Sequence, residues 1–343
     1  MSEIITKNTF KIEKTKQYDL FATFYGPEEG LSNSIELWDH IPKYFVTEEQ
    51  QAAMRTPEGF LSTLKRCFKI ADVDWAMEIQ PAQIQMPDGS EQAFYPGYSE
   101  EVIEDALRKL FTQDEYGAYD SDHVKSWVRF SLKQIARELA KWGCSRNIDE
   151  IKRSLDIMSG STVKLFRNAK EVHSTQIITS LTRVDRTEYL ENTDSRWACR
   201  LPDLLSDAIN RGNYRQYNYA ISMQLKTQLA KWLHKRFSHN YTQANCSGFY
   251  NILLSTVQRD SGLLDSGTMK DKRRKLGRAI DELGDNGVIK SYDHLAIKES
   301  RKIVDAKYNL FPSDTFVVEM KAANKRLKDT RQTLEILETQ QIT

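Results

Sequence analysis

The sequence lacks most of the residue patterns on which enzyme chemistry rests. It holds no Gly-x-x-x-x-Gly-Lys-Ser/Thr run and no Gly-x-Gly-x-x-Gly, so the common routes to nucleotide hydrolysis or dinucleotide binding have no phosphate cradle. Its six histidines (His40, His123, His173, His234, His239 and His294) form neither a His-x-His pair nor an HExxH motif. A zinc hydrolase or a nicking enzyme, which needs a histidine pair for its metal beside a nucleophilic tyrosine, is therefore disfavoured. His234 and His239, five residues apart, read as surface histidines on a basic helix. The four cysteines (Cys67, Cys144, Cys199 and Cys246) are scattered without a CxxC pair, which excludes a disulfide framework and a zinc knuckle. No apolar run approaches the roughly 18 residues that span a bilayer, and Met1 to Phe10 carry no signal-peptide core, so a cytoplasmic protein with no membrane partner is expected. No metal or cofactor is expected. The acidic cluster Glu100-Glu101 with Glu104-Asp105 could hold Mg²⁺, but in the first turns of a helix such residues more simply favour the helix dipole.

What is present is a long, soluble, charge-rich chain: 343 residues, 40% hydrophobic and 28% charged, enough for two domains. The net charge of +1 conceals a split. Asp19 to Asp122 carry 21 acidic and 7 basic residues, whereas Arg211 to Lys307 carry 18 basic and 9 acidic ones. The C-terminal half therefore suits a polyanionic partner and the N-terminal portion does not.

Along the chain, 1–30 reads as a flexible arm and Phe60 to Ile70 as a helix. Trp75 to Met86 and Gln92 to Tyr95 flank the turn Pro87-Asp88-Gly89-Ser90 and predict a hairpin. Ser99 precedes a helix, and Ser131 to Gln134 and Asn147 to Glu150 are capping boxes that open two short tandem helices. Strand-like Thr162 to Phe166, Gln176 to Val184 and Arg196 to Leu201 follow, then helices at Asp203 to Asn210, Tyr217 to Phe237 and Gly248 to Gln258.

Thr268 to Leu283 form the most informative stretch. At about 100° per residue Met269, Leu276, Ile280 and Leu283 fall on one helix face, with Arg274 and Arg278 opposite and Lys270 flanking them. Gly284 and Gly287 end this helix, and apolar residues resume in Val288-Ile289, Leu295 to Ile297 and Ile303 to Phe311, a hairpin pattern. A basic helix leading into a basic hairpin suits a winged helix-turn-helix on DNA; a solvated charged face is the alternative. The order helix, helix, hairpin occurs twice. After Pro312 the last segment is a charged helix whose heptad covers barely three repeats, and it is expected to dock on the core. The predicted fold class is α+β, mainly helical, with two tandem winged-helix domains and small β-hairpin wings. The domains are 31–201 with an acidic elaboration, 202–312, and a C-terminal helix at 313–343.

The two helix, helix, hairpin patterns and the Ser266 to Leu283 stretch, together with Asn33 to Tyr44, resemble replication initiator proteins of iteron-containing plasmids. The resemblance implies binding to directly repeated sites in origin double-stranded DNA, a homodimer that represses its own gene, and recruitment of the host replication initiator and replicative helicase. Neither enzymatic activity nor a cofactor is implied. Carried onto this sequence, Lys270, Lys272, Arg273, Arg274, Lys275 and Arg278 become candidates for groove contacts, and Lys290, Lys298, Arg301 and Lys302 for wing contacts to the backbone. In the first domain the equivalents are Arg146, Lys152, Arg153, Lys164 and Arg167. Asp149, Glu150 and Asp156 dilute that helix, which would also suit dimerisation. The competing functions are a winged-helix transcription regulator and, from another class, a nicking or recombining DNA enzyme.

Overall fold

The computed structural model describes residues 31–70, 72–111, 117–120, 125–184, 196–210, 214–243 and 248–341. The expected N-terminal arm and Cys246 lie outside these. The chain enters through β1 (Leu31–Ser34), α1 (Glu36–His40) and α2 (Glu48–Met54), then β2 (Leu64–Ile70), β3 (Val73–Gln80), β4 (Ala82–Gln85) and β5 (Glu91–Phe94). Helix α3 (Tyr98–Phe111) and strands β6 (Gly117–Asp120) and β7 (Lys125–Phe130) lead to the tandem helices α4 (Leu132–Lys141) and α5 (Ile148–Gly160). Strands β8 (Thr162–Arg167), β9 (Lys170–Gln176), β10 (Ser180–Thr182) and β11 (Trp197–Arg200) follow, with α6 (Asp203–Asn210), β12 (Arg215–Asn218) and α7 (Tyr219–Gln224) behind them. The last third runs α8 (Gln228–Asn240), β13 (Tyr250–Leu253), α9 (Leu254–Ser261), α10 (Met269–Asp285), β14 (Ile289–Glu299), β15 (Lys302–Pro312) and α11 (Asp314–Gln341).

The expectation of a mainly helical chain is corrected: eleven helices and fifteen strands share the described residues, the strands lying in five small antiparallel sheets. Two four-stranded sheets, β2-β3-β8-β9 and β10-β11-β7-β6, build the N-terminal part, and the three-stranded β13-β15-β14 builds the C-terminal part. No described helix is long and apolar enough to cross a membrane.

Local signals explain the elements that agree with the sequence. Ser131 and Asn147 each accept from the backbone N–H three residues on, and Gln134 and Glu150 reciprocate, so α4 and α5 begin at these boxes. Gly89 at φ 84 closes the β4–β5 turn. The departures have tertiary causes. Phe60 to Ile70 is not a helix, because Leu64 to Ile70 pair along their whole length with Val73 to Ile79. Of the expected strand Gln176 to Val184 the segment Ser180 to Thr182 is β10, joined to β11, while Lys170 to Gln176 form β9, which turns back on β8 through Asn168 and Ala169 at positive φ. Tyr217 to Phe237 is not one helix, since Asn218 caps α7 and Thr227 caps α8. The segment expected as a helix from Gly248 is a strand up to Leu253, where Asp305 receives the Ser255 N–H (3.0 Å) and hydroxyl (2.6 Å) and helps α9 to start.

Two large hydrophobic cores result, one running from Ile35 to Met223 and the other from Leu225 to Met320, beside a small cluster of Ala82, Phe94 and Ile157. The first is built on Trp38, Phe68, Tyr95, Phe111 and Phe130, and the second on Leu233, Phe237, Leu276, Ile280 and Phe316. As expected the last helix docks on its core, burying Phe316, Val317, Met320, Ala323 and Thr330.

The two cores meet along a charged seam. From α3, Asp105 and Glu101 receive Lys235 of α8 at 2.7 and 3.5 Å, while Arg108 pairs with Asp39 at 2.5 Å. Glu104 accepts from the Tyr44 hydroxyl at 2.5 Å and from the Trp38 indole, with Lys43 at 3.7 Å. Three acids of the cluster expected to serve the helix dipole, Glu101, Glu104 and Asp105, thus face cations that lie far away in sequence, while Glu100 accepts from the Gly97 N–H at the helix start (2.7 Å) and from the Ser154 hydroxyl (2.6 Å). On the other flank Arg66 of β2 bonds Asp265 and donates to the carbonyls of Gln258 (2.6 Å) and Arg259 (3.1 Å) near the end of α9.

Candidate nucleic-acid interface

Helix α10 starts at a reciprocal box in which the Thr268 Oγ1 accepts from the Asp271 N–H (3.2 Å) and the Asp271 carboxylate accepts from the Thr268 N–H (3.3 Å). Leu276, Ala279, Ile280 and Leu283 face the core at helical spacing and are essentially fully buried. The opposite face carries Lys270, Arg274, Lys275 and Arg278, all exposed.

Three of the four acids of the same helix are engaged, and the fourth, Asp285, is exposed at its last turn. Asp271 caps Thr268, which holds its carboxyl below the usual range, and pairs with Arg274 at 2.9 Å. Asp281 lies beside the Tyr292 hydroxyl, whose pKa burial and that carboxylate push up. Glu282 accepts from the backbone of Lys226 and Thr227 and from the Thr227 hydroxyl at 2.6 Å, tying α10 to the start of α8. Lys270, Lys275 and Arg278 have no hydrogen bond or salt bridge among the described residues.

Two of the predicted contacts face elsewhere. Arg273 is half-buried, with its guanidinium beside the hydroxyl of Tyr308, a core residue of β15. Lys272 donates to the Gln258 side chain on α9 at 3.0 Å. Both sit on the flanks of the buried stripe, so they brace the helix against α9 and the sheet.

Strands β14 and β15, 11 residues each, extend from the end of α10 as one antiparallel ribbon of about 35 Å at some 3.3 Å per residue. Tyr292, His294 and Ala296 pair with Leu310, Tyr308 and Ala306, so these residues share the face turned to the core. Lys298, Arg301 and Lys302 gather at the tip, where Ser300 adopts φ 56, and Lys290 lies exposed at the base. The hairpin therefore presents three neighbouring cations far from its own core.

The N-terminal candidates are dispersed and paired. Arg146 donates to the Ser99 hydroxyl (2.9 Å) and the Ser145 carbonyl (2.9 Å), Lys152 lies 3.6 Å from Asp149, and Lys164 lies 3.7 Å from Glu171. Arg153 stacks over Phe94 at 4.3 Å and Arg167 over Trp75 at 5.8 Å. Sequence reasoning missed Glu282, Asp305 and Tyr308, which position the basic helix and its hairpin; no local pattern marks them, because Glu282 and Thr227 are 55 residues apart.

The histidines also differ from expectation. His234 is fully buried between the rings of Tyr217 (6.1 Å) and Phe316 (6.5 Å), and burial together with Lys235 and Lys231 lowers its pKa to about 3. His239 packs edge-on against His40 at 5.3 Å.

No protein-family model matches the chain, and a search of curated proteins finds no match. Among solved structures, domains 2 and 3 of RctB match at 12% identity over 76% of this chain and 95% of the other, with a TM-score of 0.44. A second structure of RctB domains 2–3 matches at 14% identity over 77% of this chain and 96% of the other, with a TM-score of 0.42. The Pi initiator protein in complex with iteron DNA matches at 12% identity over 84% of this chain and 100% of the other, with a TM-score of 0.37.

Proposed function

We propose that this protein binds double-stranded DNA sequence-specifically, with α10 as the recognition helix and the β14–β15 ribbon as its wing, and that it acts as a replication initiator at repeated origin sites. The observation that carries the DNA reading is the division of labour on α10. Its cations Lys270, Arg274, Lys275 and Arg278 point outward, while Asp271, Asp281 and Glu282 are engaged in capping and bracing. An α-helix about 10–12 Å across fits a major groove about 12 Å wide, and arginine on guanine is the commonest specific contact. The initiator reading, with autorepression, a homodimer and recruitment of the host initiator and helicase, rests on the resemblance carried by the two helix, helix, hairpin patterns, Ser266 to Leu283 and Asn33 to Tyr44.

Arg274→Ala and Arg278→Ala are each expected to weaken binding to a selected duplex by about 1–3 kcal/mol and to relax specificity at one position. Unchanged affinity and specificity in both would sink the assignment. Removing Lys298, Arg301 and Lys302 together should weaken binding alike on every sequence and make the salt dependence shallower, by about 0.9 in log–log slope for each phosphate no longer neutralised. A sequence-dependent loss would move those residues from backbone to base contacts. A plasmid carrying only this gene and its flanking repeats separates an initiator from a pure regulator, which cannot sustain its replication. Nicking of supercoiled DNA with Mg²⁺ would instead establish an enzyme.

A further inference from the structure

The seam between the two cores contains a cavity of about 40 Å³, the room taken by roughly three water molecules or by a single small oxyanion. Helix α1 and the turn after it line one side, and α8 with the end of α9 lines the other. Most of the polar groups around it satisfy one another. Lys43 pairs with Glu104, Lys235 with Glu101 and Asp39 with Arg108, Gln228 donates to Glu101 at 2.9 Å, and the Ser261 hydroxyl donates to the Val257 carbonyl at 2.6 Å.

Two groups of the lining are left over, one from each core. Arg236 of α8 donates through Nε to the Tyr250 hydroxyl (3.3 Å) and pairs through Nη2 with Asp260 (3.0 Å), but its Nη1 is buried without an acceptor among the described residues. Asp260 is shared with Arg259 at 2.6 Å, so two guanidinium groups meet one buried carboxylate and a positive charge remains uncompensated. Arg236 also lies over the Trp232 ring at 5.1 Å, which fixes the plane of the guanidinium.

His40 of α1 is the second group. Its Nδ1 sits 2.7 Å from the Glu36 carbonyl, and since a carbonyl only accepts, Nδ1 carries the proton. Burial, with His239 and Arg236 adding to it, lowers the His40 pKa to about 4, so at neutral pH the ring is uncharged and Nε2 presents a lone pair. Among the described residues no group donates to that nitrogen.

The two groups ask for opposite things. The guanidinium needs an anionic oxygen and the imidazole nitrogen needs an O–H. Hydrogen phosphate offers both in one small ion. Sulfate has the same shape but keeps no proton at neutral pH, and it sets an oxygen lone pair against Nε2. We propose that the cavity between the cores binds free hydrogen phosphate, with Arg236 donating to its oxygens and His40 Nε2 accepting from its hydroxyl. Because these groups come from different cores, the bound ion ties α8 to α1 and stabilises their docking by mass action. The site needs no DNA.

The test follows thermal unfolding of the full chain at pH 7, without DNA, in phosphate, sulfate or glycerol 3-phosphate at equal ionic strength. Phosphate should raise the midpoint saturably, whereas sulfate should give only the gradual, unsaturating rise of an excluded salt. Glycerol 3-phosphate, like other monoesters mostly without its O–H at this pH, should behave as sulfate does. The imidazole resonances of His40 should move along the same phosphate titration. Arg236→Gln, which leaves Asp260 paired with Arg259, and His40→Phe should each weaken phosphate binding about tenfold or more, the loss of one charge-assisted hydrogen bond. Should one variant fail to fold, the other carries the same prediction from the opposite core. Lys270→Gln with Lys275→Gln and Arg278→Gln should respond to phosphate as the wild type does, which separates this site from the exposed cations of α10. A saturable response to sulfate equal to that for phosphate overturns the proposal. So does tighter binding of the monoester, an undiminished response in Arg236→Gln or His40→Phe, or a response lost with the α10 cations.

Discussion

Lys235→Met is expected to destabilise the protein by about 3–5 kcal/mol, the cost of leaving a buried charge without its partner. Lys235 reaches Asp105 at 2.7 Å and Glu101 at 3.5 Å across the seam between the two cores, and the Asp105 side chain is only 2% exposed. These carboxylates hold the ammonium pKa above its ordinary value despite the burial. Methionine keeps the stem's packing but strands Asp105 next to Glu101. Since a domain's whole stability is about 5–15 kcal/mol, the variant should show a large fall in urea midpoint. Adding Asp105→Asn should recover much of the loss, because the stranded charge goes with it. A loss below about 1 kcal/mol in the single variant, far under the 3–5 kcal/mol expected of a broken buried pair, would mean that water already reaches this seam.

Acid should destabilise the protein well above the carboxylate range. His40 has its pKa lowered to about 4 by burial, with His239 and Arg236 adding to the effect, and His234 has its pKa lowered to about 3. Both are neutral in the fold, whereas in the unfolded chain each takes up a proton near pH 6.5. Their stabilising effect is complete above pH 6.5 and is lost as pH falls towards 4 and 3. From pH 7 to pH 5 each should remove about 2 kcal/mol, at about 1.4 kcal/mol per pH unit below 6.5. Glu100, Asp105 and Glu319, whose pKa values burial raises, act in the opposite sense at the acid end of this window and moderate the fall. His234→Phe keeps an aromatic ring between Tyr217 and Phe316 but does not titrate. Its urea midpoint should therefore drop less than that of the wild type between pH 7 and pH 5. Equal drops would place the proton uptake elsewhere.

Legibility from sequence followed the range of the interactions. The boxes at Ser131 and Asn147 were readable because donor and acceptor lie three residues apart. So were the apolar stripe of α10 and the turn at Asp88-Gly89, each set by the chain's own geometry. Phe60 to Ile70 was misread because its apolar residues suit a helix until β3 supplies a partner along its whole length. The break at Leu225 to Thr227 was missed because half of what holds it is Glu282, on another helix. His234 looked like a surface histidine among lysines, yet Lys231 folds inward to donate to the Ser222 carbonyl at 2.8 Å and the helix buries that side.

The sequence by itself determined the basic helix with its apolar stripe, the hairpin that follows it and the contrast in charge between the two halves, since each is a matter of neighbours along the chain. Only the tertiary structure decided which cations face solvent. It turned Arg273 to Tyr308 and Lys272 to Gln258, laid Arg153 on Phe94, spread the acids of α3 among Lys43, Arg108 and Lys235, and left Lys133, Arg137 and Lys141 in an exposed row. The physical reason is that a charged side chain's role depends on which desolvated partner lies within a few ångströms, and those partners come from elements tens to hundreds of residues away.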